Sequence, residues 1–381
     1  MVEPSGNMPD QNAPELSRGS DRMNSDRINV AFWNLQNLFD LEVSPIAAEL
    51  EYSPVCGWDR HALDAKIRAI ADVIRQMFDG RGPDLLGICE IESERVAQRL
   101  IREIGRSDYR LAHVDQSDIT GLDTSLIYSD QVFRPGDQWP PRGHNVTHRF
   151  PTRDIFEVSL KVLANDSDLV VLVNHWPSRK SGRVASEPHR ITVAAHCARL
   201  VEKHLKVSRR EYLELRDNEV SLFRLNQVWD SNVLVMGDFN DDPWNISLLE
   251  ILRAGFSAEH LEESIRFVRG TLPSWKIYSE RPAWLFNPMW SLLGKPDQGT
   301  ACNTESAHPL RLSDQFLISR GLYFGQQGLI MPQQSPGIPA VNIFRPEVML
   351  TRRGRPREFR RETRTGCSDH FPITTELQVL R

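Results

Sequence analysis

The sequence predicts an α/β protein folded as one domain, and three observations carry that reading. Strand-length runs of β-branched and aromatic residues alternate with amphipathic helical stretches from end to end. No internal repeat or long low-complexity linker interrupts them. With 381 residues, 40% hydrophobic and 25% charged, the chain can bury a large core, which excludes global disorder. Length alone admits two domains at about 100–200 residues each. The interspersed order favours a single domain over residues 28–381.

The elements follow in order. Residues 1–27 are rich in Ser, Asn, Asp, Pro and Gly with hardly an apolar run, and read as a disordered leader. Ile28-Asn29-Val30-Ala31-Phe32-Trp33-Asn34 reads as a buried strand. From Asp59 to Phe78, Leu63, Ile67, Ile70, Ile74 and Met77 recur at spacings of three and four, an amphipathic helix closed by Asp79-Gly80 and Gly82-Pro83. A short apolar strand from Asp84 to Cys89 ends at Glu90. Further strands are expected at Arg110 to Val114, Thr124 to Tyr128, Ile155 to Leu163 and Leu169 to Val173, the last ending at Asn174-His175. A helix from about Pro188 to Leu205 and a charged helical stretch from Val207 to Asp230 precede the strand Asn232 to Met236, which ends at Gly237-Asp238. The stretch from 275 to 307, rich in Trp, Pro and Gly, reads as a long surface excursion. Gln315 to Ser319 and Pro372 to Leu380 are strand-like.

Composition narrows the function. The formal net charge of −5 is the wrong sign for holding nucleic acid by bulk charge, so any polyanion must be met by a local basic patch. Five cysteines without a C-x-x-C pair argue against a disulfide framework and a zinc knuckle. No stretch approaches the ~20 apolar residues of a membrane span, and the N-terminus lacks the order of a secretory signal. The expected compartment is the cytoplasm, with no membrane partner.

Polar residues repeatedly close the apolar strands: Asn34, Glu90, His175, Asp238 with Asn240, Asp314, and Asp369 with His370. One such residue is what any strand end requires, and a lone His175 after a valine run would read as a hydrogen-bonded core histidine. The repetition, dominated by Asp, Asn, Glu and His, suggests one rim where strand ends converge on a rigid sheet. Carboxylate and amide oxygens without thiolates suit a hard divalent cation, Mg²⁺ or Mn²⁺. Two histidines and an aspartate add proton transfer and anion stabilisation. A phosphoryl centre needs that combination.

Six motifs then carry a resemblance: Trp33-Asn34-Leu35-Gln36-Asn37-Leu38-Phe39-Asp40, Gly87-Ile88-Cys89-Glu90, Asn174-His175-Trp176-Pro177-Ser178-Arg179, Gly237-Asp238-Phe239-Asn240-Asp241, Leu312-Ser313-Asp314-Gln315-Phe316-Leu317, and Cys367-Ser368-Asp369-His370-Phe371-Pro372-Ile373. In wording and order they resemble the endonuclease/exonuclease/phosphatase superfamily, the DNase I-like metal-dependent phosphohydrolases, in its bacterial branch. The resemblance implies a four-layer sandwich, two mixed β-sheets face to face with helices on the outer faces, and the motifs on loops at one edge. It implies Glu90 as principal Mg²⁺ ligand, with Asn34 and Gln36 lining the metal side and Asp369 able to serve a metal. Asp238 would orient or deprotonate the attacking water and Asn240 would hold a phosphate oxygen. His370, positioned by Asp314, would hydrogen-bond the phosphoryl group, and His175 would contact phosphate or assist the leaving group. The position of Gln36 is often acidic in the family, and a neutral amide is a weaker cation ligand.

Two basic stretches are candidates for substrate contact. Arg179 lies in Ser178-Arg179-Lys180-Ser181-Gly182-Arg183, directly after the His175 motif, so Asn174 and Arg179 are expected near phosphate. The run from Arg352 to Arg364, with Arg357 and Arg361 within it, is the strongly basic segment of an acidic chain and ends just before Cys367. It is placed to track a polyanion backbone. The function expected is hydrolysis of nucleic-acid phosphodiesters by in-line attack of water. The alternatives are a phosphatase or phosphodiesterase of small phosphorylated molecules or lipids, and a non-catalytic binding module that keeps the fold.

Overall fold

The computed structural model describes residues 26–41, 52–115, 121–147, 152–180, 182–215, 221–263, 274–294, 298–302 and 310–381. The first 25 residues of the expected leader lie outside them. Arg27, expected in that leader, instead opens the first strand and pairs with Gln378.

Strand β1 (Arg27–Leu38) leads to helix α1 (Arg60–Gln76), β2 (Leu85–Ile91), α2 (Glu94–Ile104), β3 (Tyr109–Ala112) and β4 (Asp123–Ser129). Then come β5 (Phe133–Pro135), β6 (Arg142–His144), β7 (Ile155–Val162), β8 (Asp168–His175), α3 (Arg183–Leu205), α4 (Arg209–Leu215), α5 (Ser221–Trp229) and β9 (Val233–Asp238). The chain continues through β10 (Ala254–Gly255), α6 (Ala258–Glu263), α7 (Trp275–Glu280), β11 (Leu285–Phe286), β12 (Ala301–Cys302), β13 (Leu310–Arg311) and β14 (Asp314–Ile318). It ends with α8 (Arg320–Phe324), β15 (Leu329–Ile330), β16 (Gln333–Ser335), β17 (Ile338–Pro339), β18 (Val341–Ile343) and β19 (Ile373–Val379).

Two mixed sheets result. The first runs β15-β19-β1-β2-β4-β3, with β18 also on β19; the second runs β10-β11-β14-β9-β8-β7-β5, with β6 also on β7. Parallel pairs lie at the centre of each, β1 with β2 and β8 with β9. A central strand buried on both faces needs a nearly continuous apolar run, and the two faces of β8 go to different places. Leu169, Val171 and Val173 pack into the core between the sheets, while Val170 and Leu172 pack outward with Val193, Cys197 and Val201 of α3. On the first sheet, Leu63, Ile67, Ile70 and Ile74 of α1 and Val96, Leu100 and Ile104 of α2 cover the outer face. The order is helix, sheet, sheet, helix, the four layers the resemblance implied. The Asp59 side chain caps α1 by accepting from Ala62 N at 2.8 Å. Among the described residues no helix is long and apolar enough to cross a membrane.

Two readings are corrected here. The stretch 275–307 is not a surface excursion throughout. β11 pairs with β14, and Phe286, Met289 and Leu292 are buried in the inter-sheet core. Pro288 opens the short 3-10 helix Pro288–Leu292 and is itself buried. Residues 295–297 and 303–307 lie outside the described residues. Helix α2, absent from the sequence reading, is a strongly amphipathic segment whose Ser93 Oγ accepts from Val96 N.

Candidate active site

Three neighbouring strands of the second sheet end in register at one edge. His175 on β8 lies opposite Asp238 on β9, which lies opposite Asp314 on β14. The approach of β8 to β9 is close: a Cβ on Gly237 would sit 2.3 Å from the carbonyl oxygen of Asn174, so the residue before Asp238 must be glycine. On the first sheet, Asn34 pairs with Cys89 and the register then breaks in both strands. That irregularity frees Glu90, and it coincides with left-handed backbone at Gln36 (φ 54°), Asn37 (φ 55°) and Glu90 (φ 61°). The segment before β19 supplies Asp369 and His370, fastened by Trp33 Nε1 donating to His370 O (2.9 Å) and Ser368 Oγ donating to Asn34 O (2.7 Å).

The two sheets meet at Asn34. Its Nδ2 donates to Glu90 Oε1 and to Asp238 Oδ2, both at 3.1 Å. Glu90 Oε2 accepts from Asn37 N at 2.8 Å. His175 Nε2 stands 3.5 Å from Glu90 Oε1 and 3.8 Å from Asp238 Oδ2. Asp238 Oδ1 accepts from Asn240 N at 2.9 Å. His370 Nδ1 is 2.7 Å from Asp314 Oδ2, and its Nε2 is 3.8 Å from Asp238 Oδ2.

Electrostatics assigns these groups different charge states. Burial opposes the charge of Glu90, but His175 whenever it is protonated, Arg153 and the Asn34 donor outweigh it and lower the carboxyl below its ordinary range. Burial and the Arg153 cation push His175 well below its usual range, against the pull of Glu90, so its imidazole is neutral and Arg153 is the cation that persists. His370 goes the other way. Burial disfavours its charge, yet Asp314 and Asp238 raise it well above the ordinary histidine value. Burial together with the Asp314 and Glu90 charges raises Asp238 to about 7, in spite of His370 and the Asn240 N–H. The rim therefore pairs a neutral with a charged histidine and an ionised glutamate with an aspartate poised near neutrality.

Of the residues expected from sequence, Asn34, Glu90, His175, Asp238, Asn240, Asp314, Asp369 and His370 come together. Others do not take the expected place. Asn174 adjoins His175 on a strand, so its side chain points to the opposite face. Its Nδ2 donates to Leu172 O and its Oδ1 accepts from Trp176 Nε1, which makes it a packing residue. The guanidinium of Arg179 is held by Asp241 (2.5 Å) and Asn245 (2.9 Å) in a buried network with Arg190 and is not presented to a phosphate. Gln36 turns its Oε1 away from Glu90 to accept from Phe359 N at 2.7 Å. Asn240 gives its Nδ2 hydrogens to Trp176 O (3.0 Å) and Asp238 Oδ2 (3.3 Å), so it braces Asp238 instead of reaching for a phosphate oxygen. Arg357 is exposed, and Arg361 lies over the Tyr52 ring at 5.8 Å.

The donor chemistry fits a hard cation on the first-sheet side. Asp369 lies near enough for Glu90 to raise its pKa, with burial the larger cause. These two carboxyl groups, with an Asn34 Oδ1 that spends one lone pair on Gln36 N (2.9 Å), match an ion that takes one or two carboxylates and keeps several waters. Asp238, Asp314 and His370 also offer atoms within 4.8 Å of one another. The His370 imidazole is already hydrogen-bonded through Nδ1 to Asp314, an arrangement that suits proton and anion chemistry. Sequence reasoning missed two cations, Arg153 and Lys66. The start of β7 carried no signal for Arg153. Lys66 did leave one, since it occupies the apolar stripe of α1 between Leu63 and Ile70.

A family model described as the Endonuclease/Exonuclease/phosphatase family matches residues 29–379. No curated protein matches the chain. Among solved structures it is similar to a humanized D. rerio TDP2 carrying 14 mutations, with 11% identity, 93% of this chain and 100% of that chain covered, and a TM-score of 0.52. It is also similar to an endonuclease/exonuclease/phosphatase family protein from Bacteroides thetaiotaomicron (13% identity, 93% and 98% covered, TM-score 0.51). A mannosyl-6-phosphatase of Bacteroides thetaiotaomicron VPI-5482 has 14% identity, 92% and 99% coverage and a TM-score of 0.51. At these identities the likeness to solved structures establishes the fold.

Proposed function

The chain belongs to the endonuclease/exonuclease/phosphatase family, whose members hydrolyse phosphoester bonds, and from that premise we propose that it is a divalent-cation-dependent nuclease cutting nucleic-acid phosphodiesters. The observation that carries the reading is the bridge at Asn34, whose one amide touches both the metal-side carboxylate Glu90 and the proton-handling carboxylate Asp238. A scissile phosphate seated against that bridge is addressed from both sheets at once.

Glu90 and Asp369, with Asn34, would hold Mg²⁺ or Mn²⁺, and the bound ion supplies neutralisation of the charge that develops on the phosphoryl oxygens. The chain's own groups do the rest. Asp238, fixed at both oxygens by Asn34 and Asn240, orients the attacking water and takes its proton, a task suited to a carboxyl near 7. His370 is an imidazolium whose Nδ1 is occupied by Asp314, which leaves Nε2–H to donate to a non-bridging oxygen. His175, neutral and buried beside Glu90, is the donor on the leaving-group side. The exposed arginines Arg352, Arg353 and Arg357 favour a polyanion over a compact phosphorylated substrate.

The test is conversion of supercoiled plasmid to nicked circle by the purified protein with Mg²⁺ or Mn²⁺, beside EDTA and His370→Ala controls. Nicking that needs the cation and drops at least ~100-fold in His370→Ala is the expected result. No nicking would overturn the duplex-DNA reading. RNA, nucleotides and sugar phosphates in the same assay would then identify the phosphoester, the sugar phosphates being suggested by the mannosyl-6-phosphatase likeness.

A further inference from the structure

Lys66 is a fully buried cation that the chemistry above does not use. Its side chain is 1% exposed and rises from the apolar stripe of α1 past two aromatic rings, with Nζ 5.8 Å from the Trp58 centroid and 5.4 Å from that of Phe359. It ends on the backbone of the left-handed turn in β1, donating to the carbonyl oxygens of Gln36 and Asn37, the latter at 3.3 Å. In a peptide unit the C=O and N–H point in opposite directions. The Gln36 C=O that accepts from Lys66 belongs to the same peptide as the Asn37 N–H, and that N–H donates to Glu90 Oε2 at 2.8 Å. One peptide group is thus clamped between an ammonium on one side and the Glu90 carboxylate on the other. Hydrogen bonds in such a chain polarise one another and strengthen together. The N–H of Gln36, one residue earlier, holds Asn34 Oδ1 at 2.9 Å.

We propose that Lys66 is a positioning residue for the cation side of the site, acting through the Gln36–Asn37 peptide to fix the Glu90 carboxylate and the Asn34 amide. A lysine on the apolar face of a helix is otherwise costly to bury, and among the described residues its Nζ hydrogen bonds go to this turn, with the Glu90 and Asp369 charges acting on it. The left-handed angles of Gln36 and Asn37, 54° and 55°, are unfavourable for most side-chain-bearing residues, and the ammonium on their two carbonyls joins the hydrogen bonds of Gln36 N, Asn37 N and Gln36 Oε1 in holding them. This inference rests on Glu90 being a cation ligand.

The experiment is Mn²⁺ binding to the full chain by calorimetry for wild type, Lys66→Met and Glu90→Gln, with thermal melts alongside. Two roles for Lys66 give opposite signs. If it acted only as a positive charge beside the site, its removal would tighten cation binding. Acting by position, its removal weakens Mn²⁺ binding by about tenfold or more while the protein still melts cooperatively. Equal or tighter binding in Lys66→Met, with binding lost in Glu90→Gln, would overturn the inference and leave Glu90 as a ligand. Unchanged binding in Glu90→Gln would overturn the ligand assignment itself. Should Lys66→Met not fold, ¹⁵N spectra of wild type during the Mg²⁺ titration decide the matter. The Asn37 amide and the Lys66 ammonium are expected to shift along one binding curve, and a Lys66 signal that stays fixed while Asn37 moves would overturn the proposal.

Discussion

Asn240 condenses the chemistry of the rim into one residue. Its φ of 51° is left-handed, as at Gln36, Asn37 and Glu90, and backbone strain of this kind collects where a side chain must be aimed. The conformation directs its N–H at Asp238 Oδ1 and its amide at Asp238 Oδ2 and Trp176 O. Asn240→Gly keeps the backbone and deletes the amide, whereas Asn240→Ala deletes the amide and adds the left-handed penalty. Hydrolysis is expected to fall alike in both, and Asn240→Ala to be less stable than Asn240→Gly by about 1–2 kcal/mol, as read by denaturant melts beside steady-state rates. Much at this scale was legible in the sequence. Glu90, Asp238, Asp314 and His370 announce themselves as acid, base and donor types at strand ends. Asn174 and Arg179 were misplaced because adjacency within a motif says nothing about facing. The alternation of β8 turns Asn174 away from His175, and Asp241, two residues beyond Gly-Asp-Phe, claims Arg179. Lys66 was missed because the Gln36 carbonyl it serves lies 30 residues upstream.

Long strands and α1 were readable as elements because burial on both faces, or on one helical stripe, prints a period in the sequence. β10, β11 and β15 left no such print. Each has two residues, too few to display a period; β11 and β15 form on the edges of the longer β14 and β19, and β10 in turn adds to β11. The turn joining α2 to β3 shows what such connections rest on. Asp108 there accepts from Arg106 Nη2 and from Ser129 Oγ, both at 2.5 Å. Burial works against its charge, but Arg106 and Ser129 lower the carboxyl from 3.8 to about 2. A value depressed in the folded state stabilises fully above the unfolded value, and the benefit disappears as pH falls from about 4 through about 2. We expect about 1–2 kcal/mol of acid-sensitive stability from this group, seen as a steeper loss of melting temperature across that window in wild type than in Asp108→Asn. Equal slopes would contradict it.

Across the whole molecule the charge is unevenly spread. The net value is −5, yet the loop leading to His370 exposes Arg352, Arg353 and Arg357, for which no ion pair occurs among the described residues. Arg360, Arg361 and Arg364 are paired with Glu358, Glu362 and Asp59. Reversing Arg353 and Arg357 to glutamate is expected to lower the slope of log affinity against log salt by roughly 1–2 for duplex DNA. An unchanged slope would remove the loop from substrate contact. The topology has another consequence. β1 lies between β2 and β19, and Trp33 grips His370 across 337 residues of chain. During synthesis, Asn34 and Glu90 leave the ribosome long before Asp369 and His370 exist. A polypeptide stopped short of the final strand therefore lacks both the imidazolium and one neighbour of the strand that carries Asn34. The two halves of the rim therefore come into being in one step, when β19 takes its place beside β1.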